Sequence, residues 1–234
     1  MPDGGVLEIA GLEGFYGASQ VLHGVDLVVN RGEAVSLLGR NGAGKTTTLR
    51  AAMGILESRR GSITLFGTQI ISAPPDQIAR LGVGYVPEER GIYASLDVRD
   101  NLLLPPVIAP GGMTLEEIYR LFPNLRERRG PGTRLSGGEQ QMLAIARVLR
   151  TGASVLLLDE PTEGLAPIIV EQIVAVVAAM KRKGITIVLV EQNVSVATRL
   201  CDRHYVMEGG RIIDMIPAAQ IAASMHRLGA CLAI

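Results

Sequence analysis

Two groups of residues have the types and spacing needed for chemistry on a phosphate. The first is Gly39-Arg40-Asn41-Gly42-Ala43-Gly44-Lys45-Thr46-Thr47, which fits G-x-x-x-x-G-K-[ST]. Its glycines let the backbone curl so that successive N–H groups point into one concavity. Lys45 would reach the β- and γ-phosphates of a nucleotide, and the Thr46 hydroxyl would hold Mg²⁺. The second group is Asp159-Glu160, which closes the apolar run Val155-Leu156-Leu157-Leu158. Two carboxylates at a buried strand end are expensive unless they meet a cation. Asp159 suits Mg²⁺, and Glu160 suits the attacking water.

The elements around both groups read as a parallel α/β fold. Ala34–Leu38 is short and apolar, a strand feeding the loop, and 46–53 lacks proline and starts a helix. The helix N-terminus adds partial positive charge where the phosphates would lie. Val155–Leu158 and Ile185–Val190 are uniformly apolar, as strands buried on both faces of a parallel sheet are. Their carboxyl ends are where ligands of such sheets bind. Pro167 to Lys183 reads as a helix opened by proline and followed by Gly184.

Earlier in the chain, Val6–Leu12 and Val25–Val29 read as strands joined by residues 14–20. Tyr16 lies in that connection, and spacing alone does not choose between stacking on adenine and ordinary packing. Residues 61–67 and 83–86 read as strands, with a short helix over 75–81 between them. Residues 91–134 change character, with Pro105, Pro106, Pro110, Gly111 and Gly112 clustered ahead of a helical pattern at 115–122. This segment is expected to be a small helical subdomain, with 1–90 and 135–234 forming the core. Arg126-Glu127-Arg128-Arg129-Gly130 reads as a charged, solvated turn. In Leu135-Ser136-Gly137-Gly138-Glu139-Gln140-Gln141, Ser136 and Glu139 have the spacing of a capping box at a helix start. Residues 194–200 suit a helix, two strands flank Gly209-Gly210, and the Ala-rich 217–234 is expected to be helical.

The 234 residues, 47% of them hydrophobic, suffice for one large α/β domain. Lys+Arg and Asp+Glu both number 23, which argues against a broad nucleic-acid surface or a polybasic membrane patch. Cys201 and Cys231 lack metal-ligand spacing, so reduced cytosolic thiols are expected. The opening residues lack the charged and apolar regions of a signal peptide. No apolar run approaches the ~18 residues of a spanning helix.

The phosphate loop, the Leu135–Gln140 segment and the Asp159-Glu160 strand occur in the order and spacing of ABC-transporter ATPase subunits. The resemblance covers about residues 6–215, and the Leu-Ser-Gly-Gly-Glu-Gln segment is its specific part. Gly164-Leu165-Ala166-Pro167, Val190-Glu191-Gln192-Asn193, Tyr85-Val86-Pro87-Glu88 and Leu121-Phe122-Pro123 resemble the smaller ATPase of branched-chain amino acid importers. Importers of urea or short amides look very similar there.

The resemblance implies a P-loop NTPase fold with a mainly parallel core sheet, an N-terminal antiparallel β part and an inserted helical subdomain. It implies that Tyr16 stacks on adenine and that Gly39, Asn41, Gly42, Ala43, Gly44, Lys45, Thr46 and Thr47 surround the phosphates of ATP. Thr46, Asp159 and Glu88 would serve Mg²⁺. Glu160 would polarise the water, with Lys45 and Gln192 beside it. Ser136, Gly137 and Gly138 would face ATP held by a second related ATPase, identical or not. The implied partners are transmembrane permease subunits and, indirectly, an extracytoplasmic solute-binding protein. The implied location is the cytoplasmic face of the inner membrane, as a peripheral subunit.

Three positions depart from the general family pattern. Glu88 stands where Gln is usual, Ala166 where Asp is usual, and Gln192 where a switch His is usual. Gln keeps a donor but cannot carry charge. Two other readings follow from the same residues: a permease-free ABC ATPase, which usually carries coiled-coil insertions or fused cassettes absent here, and a clamp that binds ATP with little turnover.

Overall fold

The computed structural model describes residues 5–128 and 130–224. The opening residues 1–4, Arg129 and the C-terminal 225–234, including Cys231 and most of the expected final helix, lie outside them.

Two strands begin the chain, β1 (Leu7–Tyr16) and β2 (Ser19–Val29), followed by β3 (Ala34–Leu38) and α1 (Lys45–Ala52). Next come β4 (Ser58–Leu65), β5 (Thr68–Gln69), α2 (Pro75–Arg80) and β6 (Val83–Val86). Three short helices follow, α3 (Val98–Leu103), α4 (Leu115–Leu121) and α5 (Pro123–Glu127). The remainder is α6 (Gly137–Leu149), β7 (Val155–Asp159), α7 (Pro167–Arg182), β8 (Thr186–Glu191), α8 (Val194–Leu200), β9 (Arg203–Glu208) and β10 (Arg211–Pro217).

These strands form two sheets. One is antiparallel, in the order β2-β1-β4-β5. The other runs β10-β9-β3-β8-β7-β6, parallel except for the antiparallel edge strand β10. Every residue of β3, β7 and β8 is buried, as their apolar composition requires. Each buried leucine among them contributes about 1.5–3 kcal/mol. One core fills the space between the two sheets around α1, and another packs α3–α7 on the opposite face of the parallel sheet.

The parallel register carries the functional consequence. Leu38 pairs with Glu191, Asp159 with Val190, and Val86 with Leu158. The carboxyl ends of β3, β8, β7 and β6 therefore lie side by side. The phosphate loop, Gln192, Asp159-Glu160 and Glu88 all leave the sheet at that edge.

Local structure differs from the sequence reading in three places. The stretch 14–20 is not a loop, because Phe15 pairs with Gln20 and Tyr16 with Ser19 around a turn at Gly17. Gly17 has φ +58°, which a tight turn needs and glycine supplies without strain. Arg126-Glu127 belongs to α5, started by Pro123 and anchored by fully buried Leu125, and Arg128 pairs with Glu139 at 2.6 Å. After β10, residues 218–220 form a 3₁₀ turn instead of an α-helix, and 221–224 are helical.

A buried pair stitches β3 to β9: Ser36 Oγ and His204 Nδ1 lie 2.8 Å apart, both fully buried. Among the described residues, His204 Nε2 has no hydrogen-bond partner. Burial pushes the His204 pKa down, opposed by the charge of Asp202. The unfolded chain takes up the proton near pH 6.5 while the folded chain resists it. This residue's contribution is therefore complete above about pH 6.5 and is lost as pH falls toward the lowered folded value. Melting temperatures at pH 7.5 and 5.5 check this: His204→Gln is expected to show a smaller acid-induced drop than the wild type.

Candidate nucleotide site

The loop after β3 encloses a cavity of about 330 Å³ walled by its own residues 41–47 together with Glu88, Glu160 and Glu163. Gly42 (φ +81°) and Gly44 (φ +105°) take left-handed backbone conformations that close the curl. At Gly39 the constraint is space, because a Cβ would sit 2.4 Å from the Met207 carbonyl. Asn41 is exposed at the mouth, while Ala43 and Thr47 are buried beneath it.

Lys45 is buried at the floor. Its Nζ donates to the carbonyls of Gly39 (2.8 Å) and Arg40 (3.2 Å) and lies 3.2 Å from Glu160 Oε1. Gln192 Nε2 donates to the other Glu160 oxygen at 2.6 Å. The three residues expected to carry catalysis thus meet at one carboxylate. Glu160 has φ +45°, a strained conformation for a non-glycine residue that costs about 1–3 kcal/mol. Its N–H donates to the Val190 carbonyl and its own carbonyl accepts from Glu163 N, which hold it there.

Electrostatics separate the carboxylates. Burial works against the charge on Glu160, but hydrogen bonds with Glu163 and Gln192 and the charge of Lys45 outweigh it and hold the pKa low. Glu163 is pushed up to about 7, first by its hydrogen bond with Glu160, then by burial and the Glu160 charge. Acid therefore protonates Glu163 before Glu160. Asp159 is fully buried behind Thr46, outside the cavity wall. Its Oδ1 accepts from Thr46 Oγ1 at 2.9 Å and its Oδ2 from the Tyr85 hydroxyl at 3.0 Å. Burial raises its pKa, and the charges of Glu160 and Glu88 add to the rise.

Other expected residues lie apart from this cavity. Tyr16, 46% exposed, borders a separate 340 Å³ cleft with Ile55 and Glu57. Ser136 caps α6: its Oγ accepts from Glu139 N and its N–H donates to Glu139 Oε2. Ser136 is exposed, Gly137 adjoins Arg90, and Gly138 packs on Ile169. None of the three reaches the cavity of its own chain.

Glu163, Tyr85 and Arg50 were assigned no role from sequence. Arg50 pairs with Glu89 at 2.8 Å. Glu163 carries a signal in hindsight, a third carboxylate one turn beyond Glu160.

The family description "ABC transporter" matches residues 22–163. This chain belongs to the ABC transporter family. A relative from Pseudomonas aeruginosa, "High-affinity branched-chain amino acid transport ATP-binding protein BraG", is 41% identical over 93% of this chain and 91% of its own length. The "Lipopolysaccharide export system ATP-binding protein LptB" of Escherichia coli (strain K12) is 35% identical over 90% of both chains. A solved structure, "Structure of ATP binding subunit of ABC transporter", superposes with a TM-score of 0.78 at 32% identity, covering 97% of this chain and 96% of that one. The chain is accordingly an ABC-type ATPase, and the P-loop fold expected from the sequence is the fold observed. Among the described residues, no helix is long and apolar enough to cross a membrane.

Proposed function

We propose that this ABC ATPase uses Mg²⁺ and ATP to drive uptake of branched-chain amino acids. It works as a peripheral subunit at the cytoplasmic face of the inner membrane. The convergence of Lys45 and Gln192 on Glu160 beneath the phosphate loop carries the hydrolytic assignment. The BraG relative supports the solute, while LptB shows that a similar sequence also serves a transporter of other cargo. Importers of urea or short amides remain the alternative on sequence motifs.

Lys45 Nζ lies 3.2 Å from Glu160 Oε1 and neutralises it. Phosphate oxygens would draw Lys45 toward themselves and free the Glu160 carboxylate to polarise water, with Gln192 keeping that carboxylate oriented. Glu163, its pKa pushed up to about 7 by the hydrogen bond with Glu160, lies beside the same carboxylate. Tyr16 offers an exposed ring for the adenine.

The residues fit Mg²⁺. Thr46, Asp159 and Glu88 present only oxygen donors, and burial and repulsion among carboxylates already disfavour the Asp159 charge. Among the described residues no cluster of three or more His, Cys, Asp or Glu would hold a metal alone. That agrees with an ion which keeps waters and shares phosphates with one or two protein groups. Such an ion neutralises charge on the β- and γ-phosphate oxygens.

Ser136, Gly137 and Gly138 point to a second ATPase, related or identical, whose ATP they would face. They lie at the N-terminus of the thirteen-residue α6, which favours an anion, and their own cavity is out of reach. Residues 91–134 are the proposed helical subdomain. Between it and the core lies an apolar groove of about 460 Å³, walled by Tyr85, Tyr93, Leu104, Pro106, Ile108 and Arg147. We assign it to an amphipathic helix of the permease, since Tyr93 and Leu104 are about half exposed.

Co-purification from gently solubilised native membranes tests the assignment. A permease pair, a second ATPase and turnover raised by a solute-binding protein loaded with leucine are expected, and Leu104→Glu is expected to abolish the association. A wild-type chain recovered without any membrane partner would overturn it. Stimulation by urea or an amide instead would overturn only the solute.

A further inference from the structure

Arg50 joins the helix that starts at the phosphate loop to the first β-hairpin. It lies on α1, about 7.5 Å along the helix axis from Lys45. Its guanidinium meets the hydroxyls of Tyr16 and Tyr85 and pairs with Glu89 at 2.8 Å. We propose that Arg50 is a positioning residue for nucleotide recognition: it clamps the Tyr16 hydroxyl and so presets the ring for a purine base, a step that rests on the proposed adenine role of Tyr16.

Tyr16 is 46% exposed at the turn between β1 and β2, where packing does little to fix a side chain. An exposed aromatic side chain left to itself samples several rotamers, and ordering it when a ligand stacks on it costs affinity. A hydroxyl held in advance removes that cost. Among the groups that raise the Arg50 pKa, the Tyr16 hydroxyl counts most, ahead of Tyr85 and Glu89, with burial opposing them. The contact with Tyr16 is therefore the strongest that the guanidinium makes to a phenol.

The clamp is itself anchored. A guanidinium presents five donors in a rigid fork, so it can serve two hydroxyls and a carboxylate together. Glu89 Oε1 accepts from Arg50 Nη2. Tyr85 can accept from Arg50 because its own proton goes to Asp159 Oδ2 at 3.0 Å. With those two partners in place, the donor offered to Tyr16 cannot swing freely. The Arg50 main chain serves the same corner: its carbonyl accepts from the N–H groups of Ile55 at 2.9 Å and Leu56 at 3.3 Å. Ile55, Leu56 and Glu57 border the cleft beside Tyr16. One residue of α1 thus ties down both Tyr16 and the segment that shares its cleft. Because α1 also begins with Lys45 and Thr46, a single rigid helix sets how far the ring stands from the phosphates.

Arg50→Met removes the donors and keeps an apolar stem. Calorimetric titration in EDTA compares ATP with inorganic tripolyphosphate, which has no base. ATP affinity is expected to fall about 10-fold and tripolyphosphate affinity to stay within about twofold, a split that general damage to the site would not give. Tyr16→Phe, which keeps the ring and loses the hydroxyl, is expected to show the same split. The double variant is expected to be no weaker than the weaker single one, because both changes remove one contact. Should Arg50→Met fail to fold, Tyr16→Phe alone decides. Unchanged ATP affinity in either single variant, an equal loss for both ligands, or additive losses in the double variant overturns the clamp. Tyr16→Ala separates this inference from its premise. If Tyr16→Ala binds ATP as the wild type does, the adenine role of Tyr16 and the clamp fall together; if it weakens ATP while Arg50→Met does not, only the clamp falls.

Discussion

Glu160→Gln is expected to lower steady-state ATP turnover by at least about 10²-fold, the scale for loss of a general base. Nucleotide affinity should persist. The amide keeps the shape of the side chain and can still accept from Gln192, so the floor of the cavity is retained. What disappears is the charge that would polarise water and that pairs with Lys45 at 3.2 Å. With that competitor gone, Lys45 is free for phosphate, and ATP should bind at least as tightly as in the wild type. Phosphate release and fluorescent-nucleotide titration on the same preparation check both halves. Turnover within about fivefold of wild type would show that Glu160 is not the base. The same result would favour neither an importer nor a clamp, whereas wild-type turnover abolished by Glu160→Gln excludes the clamp reading. The variant also removes the main cause of the elevated Glu163 pKa, so Glu163 should titrate below about 7.

Lys45→Ala is expected to weaken ATP binding by about 100-fold, the loss of roughly two charge-assisted contacts. Equilibrium titration at fixed salt measures this directly. Lys45 is the only cation whose described contacts reach the carboxylates of the cavity floor, and its loss leaves Glu160 beside Gln192 and Glu163 without positive charge. Protonation of Glu160 should then rise toward neutral pH, because two adjacent carboxylates cannot both remain charged cheaply. Lys45→Ala and Glu160→Gln should therefore be strongly non-additive for binding. In a Glu160→Gln background, Lys45 no longer has to be released before it meets phosphate. A double-mutant cycle with no interaction energy would contradict the Lys45–Glu160 ion pair.

A buried cation and carboxylate 3.2 Å apart satisfy each other, which lowers the cost of holding Glu160 in its left-handed conformation.

Much of this was readable in the sequence because the signals were local. The phosphate loop works through glycine torsions and a helix start within nine residues, so its motif states its structure. Buried strands announced themselves by uniform apolarity, and the Ser136–Glu139 cap by its three-residue spacing. The order of the three motifs identified the ABC transporter family and with it the fold. Tertiary structure decided what depends on partners distant in the chain. Tyr16 and Ser136 lie outside the cavity because β1 ends and α6 begins elsewhere, and Lys45 meets Glu160 because β3 and β7 both flank β8. Tyr85 touches Asp159 because β6 pairs with β7. Arg128 proved to be a partner of Glu139 instead of a bystander in a charged turn. No spacing rule relates residues separated by tens of positions; strand order and register bring them within hydrogen-bond reach, and only the folded sheet sets those.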